Sequence, residues 1–288
     1  MTGSFIRRKL TAIISIGGGQ YGDTIEEIVT VENCRMSVDI RIYGAESMGE
    51  MDCKIYGLSL QLMNKLTTIG PIMNQIRFKN LIQIEASEGD EPPTTIYIGN
   101  IDTAFADMNQ APNVALNIKA FSGGALAIKP VDPVSYTTDV SVEQVMNDFA
   151  AKAGLTPQNH GVTGIMLHSP YFKDTLLNNI RKVAYDTDIN FSIENNILTY
   201  WKKNGSLNDP EQLITPKRNM VGYPTFSSNC VIVRSLFLPY ARLGTKIRIE
   251  DSELISVNKS WVAFQVSHEL DSIIPDGRWF TTIGAGIT

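Results

Sequence analysis

Apolar and polar positions alternate in short runs at both ends of this chain, while a helical period is confined largely to its middle. The pattern is densest over residues 214–282. There Val231-Ile232-Val233-Arg234-Ser235-Leu236-Phe237, Lys246-Ile247-Arg248-Ile249 and Trp261-Val262-Ala263-Phe264-Gln265-Val266 lead into His268-Glu269-Leu270-Asp271-Ser272 and Trp279-Phe280-Thr281-Thr282. Turn residues such as Pro275-Asp276-Gly277 separate the runs at roughly ten-residue spacing, the mark of a small antiparallel barrel or sandwich.

Residues 5–122 carry the same signature. Strands are predicted over 5–16, 25–32, 36–43, 81–86, 94–101 and 114–121, with a glycine-rich turn at 17–22 and a hairpin turn at Gly89-Asp90-Glu91-Pro92-Pro93. Within 36–43, Val38, Ile40 and Ile42 alternate with Asp39 and Arg41, as a half-buried strand requires. One helix interrupts the pattern over 58–67. Leu58, Leu62 and Leu66 recur on one of its faces, and Gly70-Pro71 ends it.

Residues 123–136 contain Gly123, Gly124, Pro130 and Pro133 with little periodicity and read as a linker. Beyond it the period changes. Ser141-Val142-Glu143-Gln144 is a capping box that opens a helix with an apolar stripe of Val142, Val145, Met146, Phe149 and Ala153, and Gly154 stops it. A strand at 164–167 follows. Asp174 is the expected cap of a second helix burying Leu177, Ile180, Val183 and Ala184. A hairpin, 189–193 and 197–201 around Glu194-Asn195-Asn196, completes an α+β module of about seventy residues. Lys202 to Pro210 is a polar bridge into the C-terminal strands. The predicted fold is therefore mainly β with an α+β insertion. Two antiparallel β-barrel domains, residues 1–122 (with one helix) and 207–288, flank a linker and small α+β module at 123–206.

Composition narrows the functions available. A chain of 288 residues with 43% hydrophobic and 19% charged residues is a folded globular protein rather than a disordered one. Its net charge of -5 supplies no basic excess for general phosphate binding. Arg7-Arg8-Lys9 ahead of Leu10–Ile16 imitates a signal peptide, but the run is short, broken by Thr11 and Ser15, and followed by Gly17-Gly18-Gly19 without a cleavage site. No stretch approaches the roughly 20 apolar residues of a membrane span. The expectation is a soluble protein made in the cytoplasm. Cys34, Cys53 and Cys230 are odd in number and lack ligand spacing, so they read as buried free thiols.

Candidate chemistry is thin. Gly17-x-Gly19-x-x-Gly22 spells a dinucleotide fingerprint, but the alternating, β-branched segment after it denies the pyrophosphate a helix N-terminus. His160, His168 and His268 have no second ligand at metal spacing, and Ser272 stands where a zincin-like string begun by His268-Glu269 needs its second histidine. No nucleophile-elbow string occurs, and Glu88-Gly89-Asp90-Glu91 reads as a solvated hairpin tip. Of Tyr223, Phe226, Phe237, Trp261, Phe264, Trp279 and Phe280, most fall at spacings that suit core filling better than a sugar platform. No catalytic, cofactor-binding or metal residue is assigned.

Many weak matches in the right order carry a resemblance. Leu213-Ile214-Thr215-Pro216, Gly222-Tyr223-Pro224-Thr225-Phe226, Val233-Arg234-Ser235-Leu236-Phe237-Leu238-Pro239, Val266-Ser267-His268-Glu269-Leu270-Asp271-Ser272 and Pro275-Asp276-Gly277-Arg278-Trp279-Phe280 resemble the Mu-type baseplate hub proteins of tailed bacteriophages. Upstream, Ile55-Tyr56-Gly57-Leu58, Pro112-Asn113-Val114, Ser169-Pro170-Tyr171-Phe172 and Ile193-Glu194-Asn195-Asn196-Ile197-Leu198 extend the likeness over nearly the whole chain. The resemblance implies a structural virion protein of the tail baseplate without enzyme activity. It implies a homotrimer whose two tube-like barrels per subunit make a pseudo-sixfold ring, joining a hexameric tail tube to a trimeric spike or tip around a channel for DNA. Implied partners are the tail tube or distal tube-initiator proteins, the spike or tip protein and a tape-measure protein, with DNA only in transit and no membrane. Two other readings stand beside it: a hub or spike component of a contractile injection system, whose usual β-helical needle is missing after Thr288, and a tail-associated peptidoglycan hydrolase.

Overall fold

The computed structural model describes residues 7–17, 27–44, 48–68, 77–109, 111–128, 130–227 and 230–287. The chain divides into two compact units. One gathers Met1–Arg41, Glu50–Gly124 and His268–Phe280; the other gathers Ile42–Gly49, Ala125–Ser267 and Thr281–Thr288.

The first unit is built on β1 (Arg8–Ile16), β2 (Glu27–Val31), β3 (Met36–Tyr43), β4 (Glu50–Tyr56), α1 (Leu60–Leu66), β5 (Leu81–Glu88), β6 (Thr94–Asp107) and β7 (Ala115–Phe121). These strands pair antiparallel in the order β3-β4-β7-β6-β5-β1-β2. The alternation predicted for β3 is realised: Met36, Val38 and Ile40 are fully buried while Asp39 and Arg41 face out. The charged start that imitated a signal peptide is β1, hydrogen-bonded on both sides. Strand β4 was not predicted, although Met51, Cys53 and Ile55 are buried and alternate with Asp52 and Lys54. Strand β6 runs six residues past its predicted end because a register shift between Ile101 and Thr103 breaks the alternation without ending the pairing. Helix α1 starts at the Ser59 cap, whose hydroxyl accepts from the Leu62 amide, and it buries Met63 together with Leu66 of the predicted leucine stripe, whose Leu58 and Leu62 are half-buried. Gly70-Pro71 lies outside the described residues, as does most of the 17–22 turn.

In the second unit, the stretch read as a linker contains α2 (Gly124–Ile128), with Ala125 and Leu126 buried, and β8 (Val134–Ser135). Then come β9 (Val140–Ser141), α3 (Val142–Ala153), β10 (Thr156–His160), β11 (Met166–Leu167), β12 (Tyr171–Phe172), α4 (Leu176–Asp186), β13 (Ile189–Glu194) and β14 (Ile197–Lys202). The Ser141 hydroxyl accepts from the Gln144 amide at 3.2 Å, and Gly154 closes α3 in the left-handed region at φ 68°. For α4 the cap is Thr175 rather than Asp174. The Thr175 hydroxyl accepts from Asn178, while the Asp174 carboxylate supports the turn by accepting from the Thr175 amide. Asn195 and Asn196 both have positive φ, which fits the two-residue hairpin turn between β13 and β14. Parallel pairing of β10 with β14 gives a three-stranded sheet, and α3 and α4 form with it a core around Phe149, Ile180 and Tyr200.

The C-terminal section holds β15 (Gln212–Ile214), β16 (Thr225–Ser227), β17 (Cys230–Leu236), β18 (Lys246–Ile249), β19 (Ser260–Ser272) and β20 (Trp279–Gly286). The strand order is β16-β17-β20-β19, and β18 pairs with both β19 and β15, in parallel with the latter. Residues 268–280, from the end of β19 to the start of β20, belong to the first unit. A second apolar cluster in the second unit joins Val231, Val233, Ile247, Ile249, Trp261 and Ile283. The prediction that most of the C-terminal aromatics fill the core holds for only part of the set. Trp261 and Trp279 are buried, Phe237 and Phe280 are half-buried, and Tyr223, Phe226 and Phe264 are exposed. The thiols are also corrected: all three are free, but only Cys53 is buried, which pushes its thiol up to about 12. The chain is mainly β and antiparallel, with a small α+β part.

Candidate functional site

The first unit presents one concentrated polar surface, on the outward face of β3, β4, β7 and β6. Period-two alternation puts Ser37, Asp39 and Arg41 beside Asp52, Lys54 and Tyr56, and these beside Asn117 and Lys119. A groove of about 650 Å³ runs over this face, with Arg278 and Asp271 on its wall.

Register creates a conflict that charge then resolves. Asp39 and Asp52 stand directly opposite each other across β3 and β4. Like charges at such a position destabilise a sheet. Each carboxylate has its own guanidinium: Arg41 holds Asp52 at 3.0 Å, and Arg278 holds Asp39 at 2.6 Å. Lys119 and Arg41 converge on Glu50 and continue the ladder.

Arg278 is the centre of the arrangement. Its Nε and Nη2 donate to Asp271 and its Nη1 and Nη2 to Asp39, while Nη2 also meets the Ser37 hydroxyl at 2.8 Å. Ser37 in turn donates to Asp271 at 2.7 Å, and the Arg278 amide donates to the same carboxylate at 2.9 Å. The turn that delivers Arg278 depends on Gly277, since a Cβ there would lie 2.9 Å from the Asp271 Cβ. Burial alone would raise the Asp271 carboxyl, but the bonds from Arg278 and Ser37 outweigh it and hold the group below the usual carboxylate range. The Asp271 hydrogen bonds hold the guanidinium pKa above its already high ordinary value. Fixed, mutually neutralised charges of this kind can hold a surface in shape and set its register against a partner. They offer no free nucleophile or acid.

The residues weighed from sequence lie apart. His160 Nδ1 accepts from the Asn208 amide, and burial lowers its pKa. His168 meets Asp139 on the surface. His268 is buried within β19, where desolvation lowers its imidazole to about 4. Among the described residues, no three His, Cys, Asp or Glu side chains gather as a metal site requires. Gly17 has positive φ, and its amide donates to Asn80, but the next described element is the strand β2 rather than a helix; Gly19 and Gly22 lie outside the described residues. Glu88-Gly89-Asp90-Glu91 forms the β5–β6 turn. Sequence reasoning missed the Arg278 cluster, because Arg278 reaches partners 239 and 241 residues away.

Residues 10–284 match the sequence profile of the family described as baseplate hub gp41. The chain belongs to the baseplate hub gp41 family. A hub of this kind is a structural part of a bacteriophage tail and not an enzyme. No curated protein matches the sequence significantly. Solved structures share the fold at low identity. The 43 kDa tail protein of prophage MuSo2 from Shewanella oneidensis is 10% identical, with 96% of each chain covered and a TM-score of 0.61. An E. coli type VI secretion component, described as structurally similar to T4 bacteriophage tail proteins gp27 and gp5, is 8% identical, with 88% of this chain and 73% of that one covered and a TM-score of 0.61. A chain of the Francisella PdpA-VgrG complex is 10% identical, with 97% and 58% covered and a TM-score of 0.55. Among the described residues no helix is long and apolar enough to cross a membrane.

Proposed function

We propose that this hub protein acts as a symmetry adaptor: a homotrimer whose subunits each supply two tube-like β-barrels, giving a pseudo-sixfold ring between a hexameric tail tube and a trimeric spike or tip. The two barrels are assigned to residues 1–122 and 207–288, with 123–206 as linker and α+β module. One observation carries the reading: a single hub-family chain holds antiparallel strand pairs both before and after its α+β module, so that three chains supply six such sections. The protein is made in the host cytoplasm and assembles with tube or tube-initiator proteins above, the spike or tip below and a tape-measure protein in the bore. Likeness to a T6SS component similar to gp27 and gp5 supports the spike as a partner.

DNA passes the channel without lodging there. The net charge of -5 per chain favours repulsion of phosphate over adhesion. Obligate ring interfaces bury ~2,000 Å² or more, so the ring should survive dilution. Native mass measurement at micromolar concentration should give three times the 31.8 kDa chain mass. A purely monomeric mass would overturn the proposal.

A further inference from the structure

In the second unit a buried carboxylate sits beside an arginine each of whose three nitrogens already donates to another side chain. Arg242 Nε and Nη2 donate to Asp209 at 3.0 and 2.7 Å, and its Nη1 reaches Gln158 of β10 at 3.3 Å. Glu194, at the end of β13, is near enough for the guanidinium to act on it, and it accepts from the Ser192 hydroxyl and the Leu243 amide. Among the described residues its Oε1 has no hydrogen-bond partner, and it is closed to solvent, although the residue as a whole is only half-buried. His160, two residues along β10 from Gln158, accepts from Asn208 and faces the same Asp209 and Arg242.

We propose that Glu194 and Asp209 compete for Arg242, so that ionisation of Glu194 loosens the β13–β14 hairpin from the Arg242-Leu243 segment and makes this corner of the second unit a pH-sensitive latch. While Glu194 is protonated, its orphan oxygen is neutral and Arg242 stays on Asp209 and Gln158. Once ionised, Glu194 must draw the Arg242 guanidinium toward itself, at the expense of its bonds to Asp209 and Gln158, or open to water, because a buried charge without a partner is costly. Burial raises the Glu194 carboxyl to about 7, against which Ser192, Arg242 and Leu243 pull in the opposite direction. The group lies higher in the closed form than in the open one, so closure is favoured at low pH and lost as pH rises. His160 acts with the opposite sign, its pKa being lowered in the closed form, and it is neutral in both forms at pH 8.

The test is hydrogen exchange on the full chain, corrected for intrinsic rates, at pH 6 and pH 8. With carboxyl pKa values of about 7 closed and about 4.5 open, opening of residues 189–202 and 238–245 should rise about tenfold between the two pH values. Glu194→Gln should abolish the rise. Asp209→Asn should shrink it, because Arg242 is then free to pair with Glu194. An unchanged opening in the wild-type protein overturns the latch whether or not the variants fold, and so does an undiminished rise in Glu194→Gln.

Discussion

Two arginines in different parts of the molecule meet carboxylates in opposite ways. Around Arg278, three hydroxyl, amide and guanidinium sources converge on Asp271, and the carboxylate is held ionised. Around Arg242 the guanidinium is taken by Asp209 and Gln158, and Glu194 is left with one closed-off oxygen and a raised pKa. Both acids are desolvated. What differs is the number of donors that reach each one, which decides whether burial fixes a charge or suppresses it.

The largest expected effect comes from removing the donor. Arg278→Met leaves Asp271 buried and Asp39 facing Asp52 across the sheet. Breaking a buried pair costs about 3–5 kcal/mol, and the partly exposed guanidinium reduces this to about 2–3 kcal/mol. Urea unfolding of the first unit reads it, and a loss below about 0.5 kcal/mol would put this cluster in the class of surface pairs. Glu194→Gln should move stability the other way. The cost of ionising Glu194 is absent below the ordinary carboxyl value and grows until about pH 7. The variant should therefore be more stable than the wild type by about 1–2 kcal/mol at pH 8, with no gain at pH 4. Thermal unfolding at the two pH values checks this, and an equal gain at both would remove the titration from the explanation.

What could be read in advance follows the distance over which each feature is encoded. The Ser141 cap, the Gly154 stop and the Asn195-Asn196 turn are local, because backbone and side-chain chemistry within a few residues decides them. The β3 alternation was equally plain. Strand β4 carries the same alternation but uses Met51 and Cys53, weaker markers than β-branched residues, and β6 hides its second half behind a register shift. The charged clusters were out of reach. Glu194 belongs to a turn in sequence, and the Leu243 amide and Arg242 guanidinium that act on it lie some fifty residues on; Asp39 looked like one more outward strand residue until Arg278 met it. Exposure of Phe226 and Phe264 was missed for a related reason: strand period sorts residues into two faces but does not say which face is covered.

The smallest effect is the sharpest control. Arg41 lies on the same sheet face as Asp39, directly opposite Glu50, and holds Asp52 at 3.0 Å, a contact as close as that between Arg278 Nε and Asp271. Its surroundings differ. The Arg41 and Asp52 side chains are 39% and 41% exposed, whereas Asp271 retains 8%. Water reaches both members of the first pair but only the guanidinium of the second. Arg41→Ala should therefore cost less than about 1 kcal/mol, and 0.5 M salt should erase most of that loss while leaving the Arg278→Met loss largely in place. If both variants lost the same stability with the same salt dependence, burial would not be what sets the strength of the arginine pairs on this face.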